Sequence, residues 1–123
     1  MAYDTSKNTR DGAIAGLADQ IALLPTALTA NKLAIARNPN TPKEFLIELG
    51  KDKDNWVLCQ VAGNPNTISE TLAALAMERF SPIRILVALH SNTPSEVLAA
   101  LAADENEYVR FAATARLAEM EKL

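Results

Sequence analysis

The sequence predicts an all-α protein in which short helix pairs repeat every 26 residues and stack into a solenoid. The chain of 123 residues is 49% hydrophobic but only 5% aromatic, with four glycines and six prolines, a composition typical of packed helices. Shifting the chain by 26 residues superposes it on itself without insertion or deletion. Helices this short are unstable alone in water, so they must bury their apolar faces against neighbouring units.

The repeat appears as columns of equivalent residues. Apolar columns predict the core, whereas threonine and glutamate columns fall between the helices. The clearest columns are Leu46, Leu72 and Leu98; Leu49, Leu75 and Leu101; Val57, Ile83 and Val109; Thr41, Thr67 and Thr93; and Glu44, Glu70 and Glu96. Agreement in so many columns is not a chance result.

A recurring stretch is predicted to end one helix of each unit and start the next. It reads RNPNTPKEF at 37–45, GNPNTISET at 63–71 and LHSNTPSEV at 89–97. Pro39 and Pro65 disfavour the helical conformation in the residue before them. Asparagine at that residue tolerates the left-handed geometry of a helix end. The Asn-Pro pairs therefore stop the preceding helix.

The second helix of each unit is predicted to begin at Thr41, Thr67 or Thr93. The pattern Thr-x-x-Glu is a capping box, in which the threonine oxygen accepts from a free helix amide and the glutamate reaches back to the threonine N–H. Pro42 and Pro94 then occupy the first helical position, where the missing N–H has no cost.

The first helices of the later units are predicted to start near Asp54, Ser81 and Asn106, with Pro82 suited to a first turn. Asparagine and aspartate are preferred residues at helix N-termini.

These elements divide a single α-solenoid domain, 11–123, into units. Residues 31–108 hold three full repeats, and residues 109–123 form a C-terminal capping helix with a charged tail. A degenerate N-terminal cap unit spans 11–37, where Ile14, Leu17, Ile21 and Leu24 keep helical spacing. The polar residues 1–10 are predicted to be a flexible N-terminus.

Three stretches of the chain resemble the leucine-rich repeat variant family over residues 31–116. They are LAIARNPNTPKEFLIELGKD, VLCQVAGNPNTISETLAALA and IRILVALHSNTPSEVLAALAAD. The resemblance implies a right-handed superhelix of alternating α and 3₁₀ helices, loosely similar to HEAT-like solenoids. Leu58, Ile68 and the pair His90-Ser91 depart from the family motif. Some members carry an iron–sulfur cluster in a cysteine-rich segment, which has no counterpart here, so no cofactor is predicted.

Charge and composition narrow the function. A net charge of −3 argues against a phosphate-binding surface. No apolar run reaches the roughly 20 residues of a membrane span, and MAYDTSKNTR lacks the apolar block of a secretion signal. We therefore expect a cytoplasmic protein with no membrane contact.

Residue patterns of enzymes are missing, and no catalytic or metal site is predicted. His90 is the single histidine and falls in the asparagine column, where it is expected to hydrogen-bond the turn in place of asparagine. Cys59 shares a column with Leu33, Ile85 and Phe111, which predicts a buried structural thiol.

Two further columns are candidates for partner binding. The first column contains the basic residues Lys32, Arg84 and Arg110. These residues either make a ladder of ion pairs with an acidic column or present a basic stripe to an acidic ligand. The acidic column contains Asp52, Glu78 and Asp104. Trp56 and Tyr108 belong to the other, and they are either partner anchors or packing at the helix start. The sequence leaves both choices open.

The leading hypothesis is a non-catalytic protein-binding module, such as an adaptor, scaffold or inhibitor of a larger protein. One alternative is nucleic-acid binding through Lys32, Arg84 and Arg110, against which the negative net charge argues. Another is a structural subunit that assembles with copies of itself. Charge is uneven along the chain, since residues 31–56 carry five basic and four acidic residues and residues 83–108 carry one basic and four acidic.

Overall fold

The computed structural model describes residues 29–122, and this part of the chain is entirely helical with no strand. Its helices are α1 (Thr29–Arg37), α2 (Lys43–Leu49), α3 (Asn55–Gly63), α4 (Ser69–Leu75), α5 (Ser81–Leu89), α6 (Ser95–Leu101) and α7 (Glu107–Glu121). The all-α prediction is confirmed. The expectations for residues 1–10 and for the cap unit up to residue 28 lie outside the described residues.

The helices form two layers, which we call the first helices (α1, α3, α5 and α7) and the second helices (α2, α4 and α6). The first helices begin at Thr29, Asn55, Ser81 and Glu107, at equal intervals along the chain. Each first helix packs on the next first helix, and each second helix packs on the first helices on either side of it. Contacts that run from one unit to its neighbour define a solenoid, as predicted.

Both layers are α-helical. The family resemblance implies 3₁₀ geometry in alternate helices, but the seven-residue second helices are α-helices here. The right-handed twist of the stack stays a prediction.

The core lies between the two layers and contains the predicted columns. Fully or almost fully buried members are Leu46, Leu49, Val57, Val61, Leu72, Leu75, Ile83, Val87, Leu98, Leu101, Val109 and Ala113. These residues recur at helical spacing within each helix and at one position per unit along the stack. A continuous apolar interior therefore holds the units together.

Side chains cap two of the first helices. One carboxylate oxygen of Asp54 accepts from the N–H groups of Trp56 and Val57 at 2.8 and 3.2 Å. Asn106 caps α7 in the same way. Phe80 occupies the equivalent position before α5 and offers no cap. The predicted starts near Asp54, Ser81 and Asn106 are confirmed.

The predicted capping boxes are wrong. The second helices begin two residues later than the threonines, and their N-cap residues Pro42, Ile68 and Pro94 make no side-chain cap. The hydroxyl of Thr67 instead donates to the carbonyl of Val61 at 2.6 Å. Thr41 and Thr93 do the same to Ile35 and Val87. The reason is that the last carbonyls of a helix lack helical donors, and the buried hydroxyl lies beside one of them.

The predicted left-handed asparagine at the helix end is also wrong. Asn64 has φ −79° and ψ 128°, which is extended backbone. No described residue has a positive φ. The extended conformation is the one that the following Pro65 favours, so the proline decides the geometry.

Candidate interaction surface

The loops between first and second helices are tied to one another by buried side chains. The Asn64 amide nitrogen donates to the carbonyls of Ala36 and Asn38, each at 2.8 Å. Its side-chain oxygen accepts from the N–H of Asn66 at 2.9 Å. One asparagine thus fixes its own turn and joins it to the preceding unit.

His90 performs the same task one unit further on, which confirms its predicted structural role. Its Nδ1 accepts from the N–H of Asn92 at 2.9 Å. An imidazole nitrogen that accepts carries no hydrogen, so Nε2 holds the proton and donates to the carbonyl of Asn64 at 2.7 Å. Both ring nitrogens are occupied in a buried site, and neither serves chemistry.

Two members of the basic column form ion pairs. Lys32 Nζ lies 3.0 Å from Asp52, and Arg84 makes a bidentate pair with Asp104 at 2.8 and 2.9 Å. Only 9% of Lys32 and 7% of Arg84 is exposed. Arg110 is exposed, and its guanidinium donates to the carbonyls of Asp104 and Glu105 at 2.8 and 3.0 Å. The ion-pair alternative therefore holds for Lys32 and Arg84, and a role of the column in partner binding stays a prediction.

Arg84 also connects two units by hydrogen bonds. Its Nη1 donates to the carbonyls of Glu78 and Arg79, each at 2.8 Å. The hydrogen bond from Arg84 lowers the pKa of Asp104 below its ordinary value, against the opposing effect of burial. The buried charge on each side is therefore paired and hydrogen-bonded, as burial requires.

The cysteine is a structural residue, as predicted. Cys59 is buried in α3, and burial raises the pKa of its thiol. Within residues 29–122, no three His, Cys, Asp or Glu side chains lie close enough together to hold a metal ion. In the same range no helix has the length and apolar character needed to cross a membrane.

The outer sides of α3 and α5 carry no exposed charge, whereas α1 exposes Arg37 and α7 exposes Glu107 and Arg110. Helix α3 contains no charged residue, and the only one in α5 is the buried Arg84. Residues at helical spacing on this side are wholly or partly open to solvent. We call them the first-helix surface: Trp56, Gln60 and Gly63 on α3, Pro82, Leu86 and Leu89 on α5, and Tyr108, Phe111 and Ala115 on α7.

The predicted anchors lie along one edge of this surface. Trp56 is 61% exposed and Tyr108 is 66% exposed, each near the N-terminus of its helix. The Trp56 ring meets Phe80 edge-on, with ring centroids 5.6 Å apart. We call Trp56, Phe80, Pro82 and Tyr108 the aromatic edge. The contact with Phe80 supports the packing interpretation of Trp56 only in part, because most of the indole stays exposed.

Three large exposed apolar residues were not singled out from the sequence: Met77, Leu89 and Phe111. Met77, which follows α4, is 83% exposed. Phe111 is 77% exposed, although its equivalent Ile85 is half-buried. Since α7 packs on α5 and no described first helix follows α7, Phe111 stays uncovered. Leu89 is exposed, and the equivalent residues in the preceding units are Arg37 and Gly63. Because these three residues are not all apolar, the sequence could have predicted that this position faces outward. Beside Phe111, Glu107 and Tyr108 line a hollow of about 410 Å³.

The outer side of the second helices differs. Two shallow grooves of about 350 and 320 Å³ lie between α2 and α4 and between α4 and α6, at equivalent positions. Charged side chains border both: Lys51 and Glu70 in one, and Glu96 and Asp104 in the other. This side is a solvated surface of the ordinary kind.

The fold and the surface together define a helical-repeat protein. Residues 83–106, within the third unit, match the family model "Leucine rich repeat variant". Such repeats generally take part in protein interactions. Searches of curated proteins and of solved structures found no match.

Proposed function

We propose that this chain is a non-catalytic protein-binding module whose partner docks on the first-helix surface. The observation that carries the proposal is the exposure of Trp56, Leu89, Tyr108 and Phe111 along the first helices. Tryptophan and tyrosine are the residues that most often dominate binding energy at protein interfaces. The family match of the third unit supports the same function.

The energetics favour docking at this surface. Removing a large apolar side chain from water stabilises a complex by about 1.5 to 3 kcal/mol. Trp56, Leu89 and Tyr108 are each more than half exposed, so each has area left to bury. Helices α3 and α5 expose no charged side chain, so docking on them requires little desolvation of charge.

The surface is also held in place before a partner arrives. Asn64 and His90 fix the loops on one side of the stack, and the Arg84–Asp104 pair fixes the other. A preorganised surface loses little conformational entropy on binding. In this proposal Lys32 and Arg84 support the surface from within and do not touch the partner. A cytoplasmic location remains a prediction from the sequence.

Site-specific photo-crosslinking tests this function. A photoreactive phenylalanine analogue replaces Trp56, Tyr108 or, as a control on the opposite side, the exposed Glu70. We expect protein adducts in cells of the source organism from positions 56 and 108 and far fewer from position 70. The absence of any adduct at 56 and 108, or equal adducts at all three, would contradict the proposal.

A further inference from the structure

One side of each first helix faces the next unit of the stack. On α3 and α5, three equivalent positions on this side are buried or half-buried. They are occupied by Leu58, Cys59 and Ala62 on α3 and by Arg84, Ile85 and Ala88 on α5. The same positions on α7 are exposed, because no described first helix follows α7 to cover them. We call the three residues at these positions, Arg110, Phe111 and Thr114, the end face.

Inside the stack, Arg84 shows how this side of a helix is covered. Its Nη1 donates to the carbonyls of Glu78 and Arg79, and its Nε and Nη2 donate to the carboxylate of Asp104 at 2.8 and 2.9 Å. Asp104 lies in the loop that begins the next unit, and its Oδ1 also accepts from the N–H of Asn106, the N-cap residue of α7. An aspartate just before a helix cap therefore joins the two units.

Arg110 is held in the same way but has no carboxylate to bind. Its Nη1 donates to the carbonyls of Asp104 and Glu105 at 2.8 and 3.0 Å, which are equivalent to the two carbonyls that hold Arg84. Within residues 29–122, no acceptor contacts its Nε or Nη2, and no ion pair includes it. The exposed Glu105 and Glu107 weaken the attraction of Arg110 for a distant anion. Recognition here therefore depends on direct contact with the guanidinium.

We propose that the end face binds a helical segment of another protein that begins with the pattern Asp-x-Asn or Asp-x-Asp. The aspartate carboxylate accepts from Nε and Nη2 of Arg110, as Asp104 does from Arg84. The apolar side of the following helix covers Phe111. This site goes beyond the proposed function, because it lies at the end of the stack and shares only Phe111 with the first-helix surface.

The interior joints of the stack select this occupant. Where the first helix carries a basic residue, the next unit supplies an aspartate: the pairs are Lys32 with Asp52 and Arg84 with Asp104. Each aspartate stands two residues before the N-cap residue of the following first helix, Asp54 or Asn106. A second copy of this chain does not offer the same residue before α1, since position 26, one repeat before Asp52, is threonine. The aspartate is therefore expected from a different protein.

The chemistry of the end face favours binding. Bidentate bonds between arginine and a carboxylate are stronger than neutral hydrogen bonds, and they fix the orientation of the partner. The two carbonyls already hold the guanidinium, so less side-chain entropy is lost on binding. A terminal repeat needs a polar outer face for solubility, and Arg110 and Thr114 provide one. Phe111 does not serve that purpose, since 77% of it is exposed and its apolar area is removed from water only by a covering helix.

A fluorescent peptide with the sequence of residues 104–122 tests the proposal, because this segment covers the equivalent face of α5 inside the stack. Fluorescence anisotropy measures its binding to the full chain. We expect Arg110→Ala in the chain and Asp104→Asn in the peptide each to weaken binding by about tenfold. Combined, they should weaken it no further, since both remove the same pair. Arg110→Lys keeps the charge but lacks the bidentate geometry, so it should restore only part of the affinity.

Arg37→Ala removes an exposed arginine from α1 and should leave peptide binding unchanged. Circular dichroism would show that each variant keeps its helices. A peptide that does not bind at millimolar chain concentration overturns the proposal, as does one that binds the Arg110→Ala chain equally well. Self-association of the chain that Arg110→Ala abolishes would identify a second copy as the occupant and overturn the choice of a different protein. None of these outcomes affects crosslinking at position 56, so the proposed function is tested separately.

Discussion

Helices α3 and α5 differ from the second helices in which residues they expose: α3 and α5 expose no charged side chain, and the second helices expose several. The second helices expose Lys43, Glu44 and Glu70 and bury leucines such as Leu72, as surface helices ordinarily do. The first helices bury Arg84 in an ion pair and expose large apolar residues. Both layers enclose the same core, so stacking alone does not account for the difference.

This contrast teaches that the first-helix surface is not a by-product of stability. Burying a charged group is costly unless it is fully paired, and replacing such a pair by apolar residues is often neutral or stabilising. Leu58 occupies the position equivalent to Arg84 in the middle unit, and it is buried. The fold therefore tolerates an apolar residue at this position in place of an ion pair. Trp56 meets Phe80, but Trp56 and Tyr108 both leave most of their area exposed in the monomer. In the proposed function, a partner covers these residues.

The strongest challenge to the comparison is Arg84→Ala. It removes the bidentate pair and the two carbonyl contacts, and it leaves the buried Asp104 unpaired. We expect the free energy of unfolding in urea to fall by about 3 to 5 kcal/mol. Arg110→Ala, in the same column but exposed, is the control and should cost less than about 1 kcal/mol. Equal losses would show that burial does not distinguish the two arginines.

A pair of leucines compares the core with the first-helix surface. Leu75 is fully packed between the layers, and Leu75→Ala should lower the free energy of unfolding by about 2 to 5 kcal/mol. Leu89 is 56% exposed, and Leu89→Ala should stay within about 0.5 kcal/mol while weakening partner binding. A large stability loss at Leu89 would move this residue from the docking surface to the core.

The loop contacts of His90 can be tested by comparing alanine with asparagine at this position. His90→Ala leaves the Asn92 N–H without its partner and removes one of the two donors to the Asn64 carbonyl, which keeps the Thr67 N–H, at a cost of about 1 to 3 kcal/mol. His90→Asn restores the residue that position 64 uses for the same contacts and should stay within about 0.5 kcal/mol. Thermal unfolding at pH 7 measures both. If His90→Asn lowered stability as much as His90→Ala, then asparagine at position 90 would not make the contacts that Asn64 makes in its own loop.

The revised role of the threonines predicts a smaller effect. Thr67→Val removes the hydroxyl that donates to Val61, and because that carbonyl also accepts from the Asn64 N–H, the loss should be about 0.5 to 1.5 kcal/mol. Glu70→Ala should change the free energy of unfolding by less than about 0.5 kcal/mol. A capping box would make Glu70 matter as much as Thr67, so comparable losses would restore that interpretation.

Acid should weaken the buried pairs while neutral pH leaves them unaffected. Because the pKa of Asp104 is lowered in the folded state, the pair contributes stability above the ordinary carboxyl pKa of about 4 and loses it as pH falls through the lower folded value. Unfolding midpoints measured between pH 7 and pH 2 should drop below about pH 4. The variant Asp104→Asn should flatten that drop, and an unchanged profile would contradict the assignment.

Much of the fold was predictable because its signals are local and repeated. The columns of Leu75 and Ile83 lie at helical spacing, and the same pattern returns in every unit. A position that is ambiguous in one unit can therefore be assigned from its equivalents in the others. His90 was placed correctly for the same reason, since its column contained asparagine. The capping boxes failed because Thr67 can either accept from the helix ahead or donate to the helix behind. The choice depends on which group lies nearby after packing, which spacing alone does not show.

The sequence by itself determined the helical class, the unit length, the core columns and a structural role for Cys59, because each follows from a periodic apolar pattern. Only the tertiary structure decided that Arg84 lies inside while Trp56 lies outside, and that Phe80 meets Trp56. Whether a side chain is covered depends on the helix of the neighbouring unit, and residues paired across 20 positions, such as Arg84 and Asp104, meet only after the layers have packed.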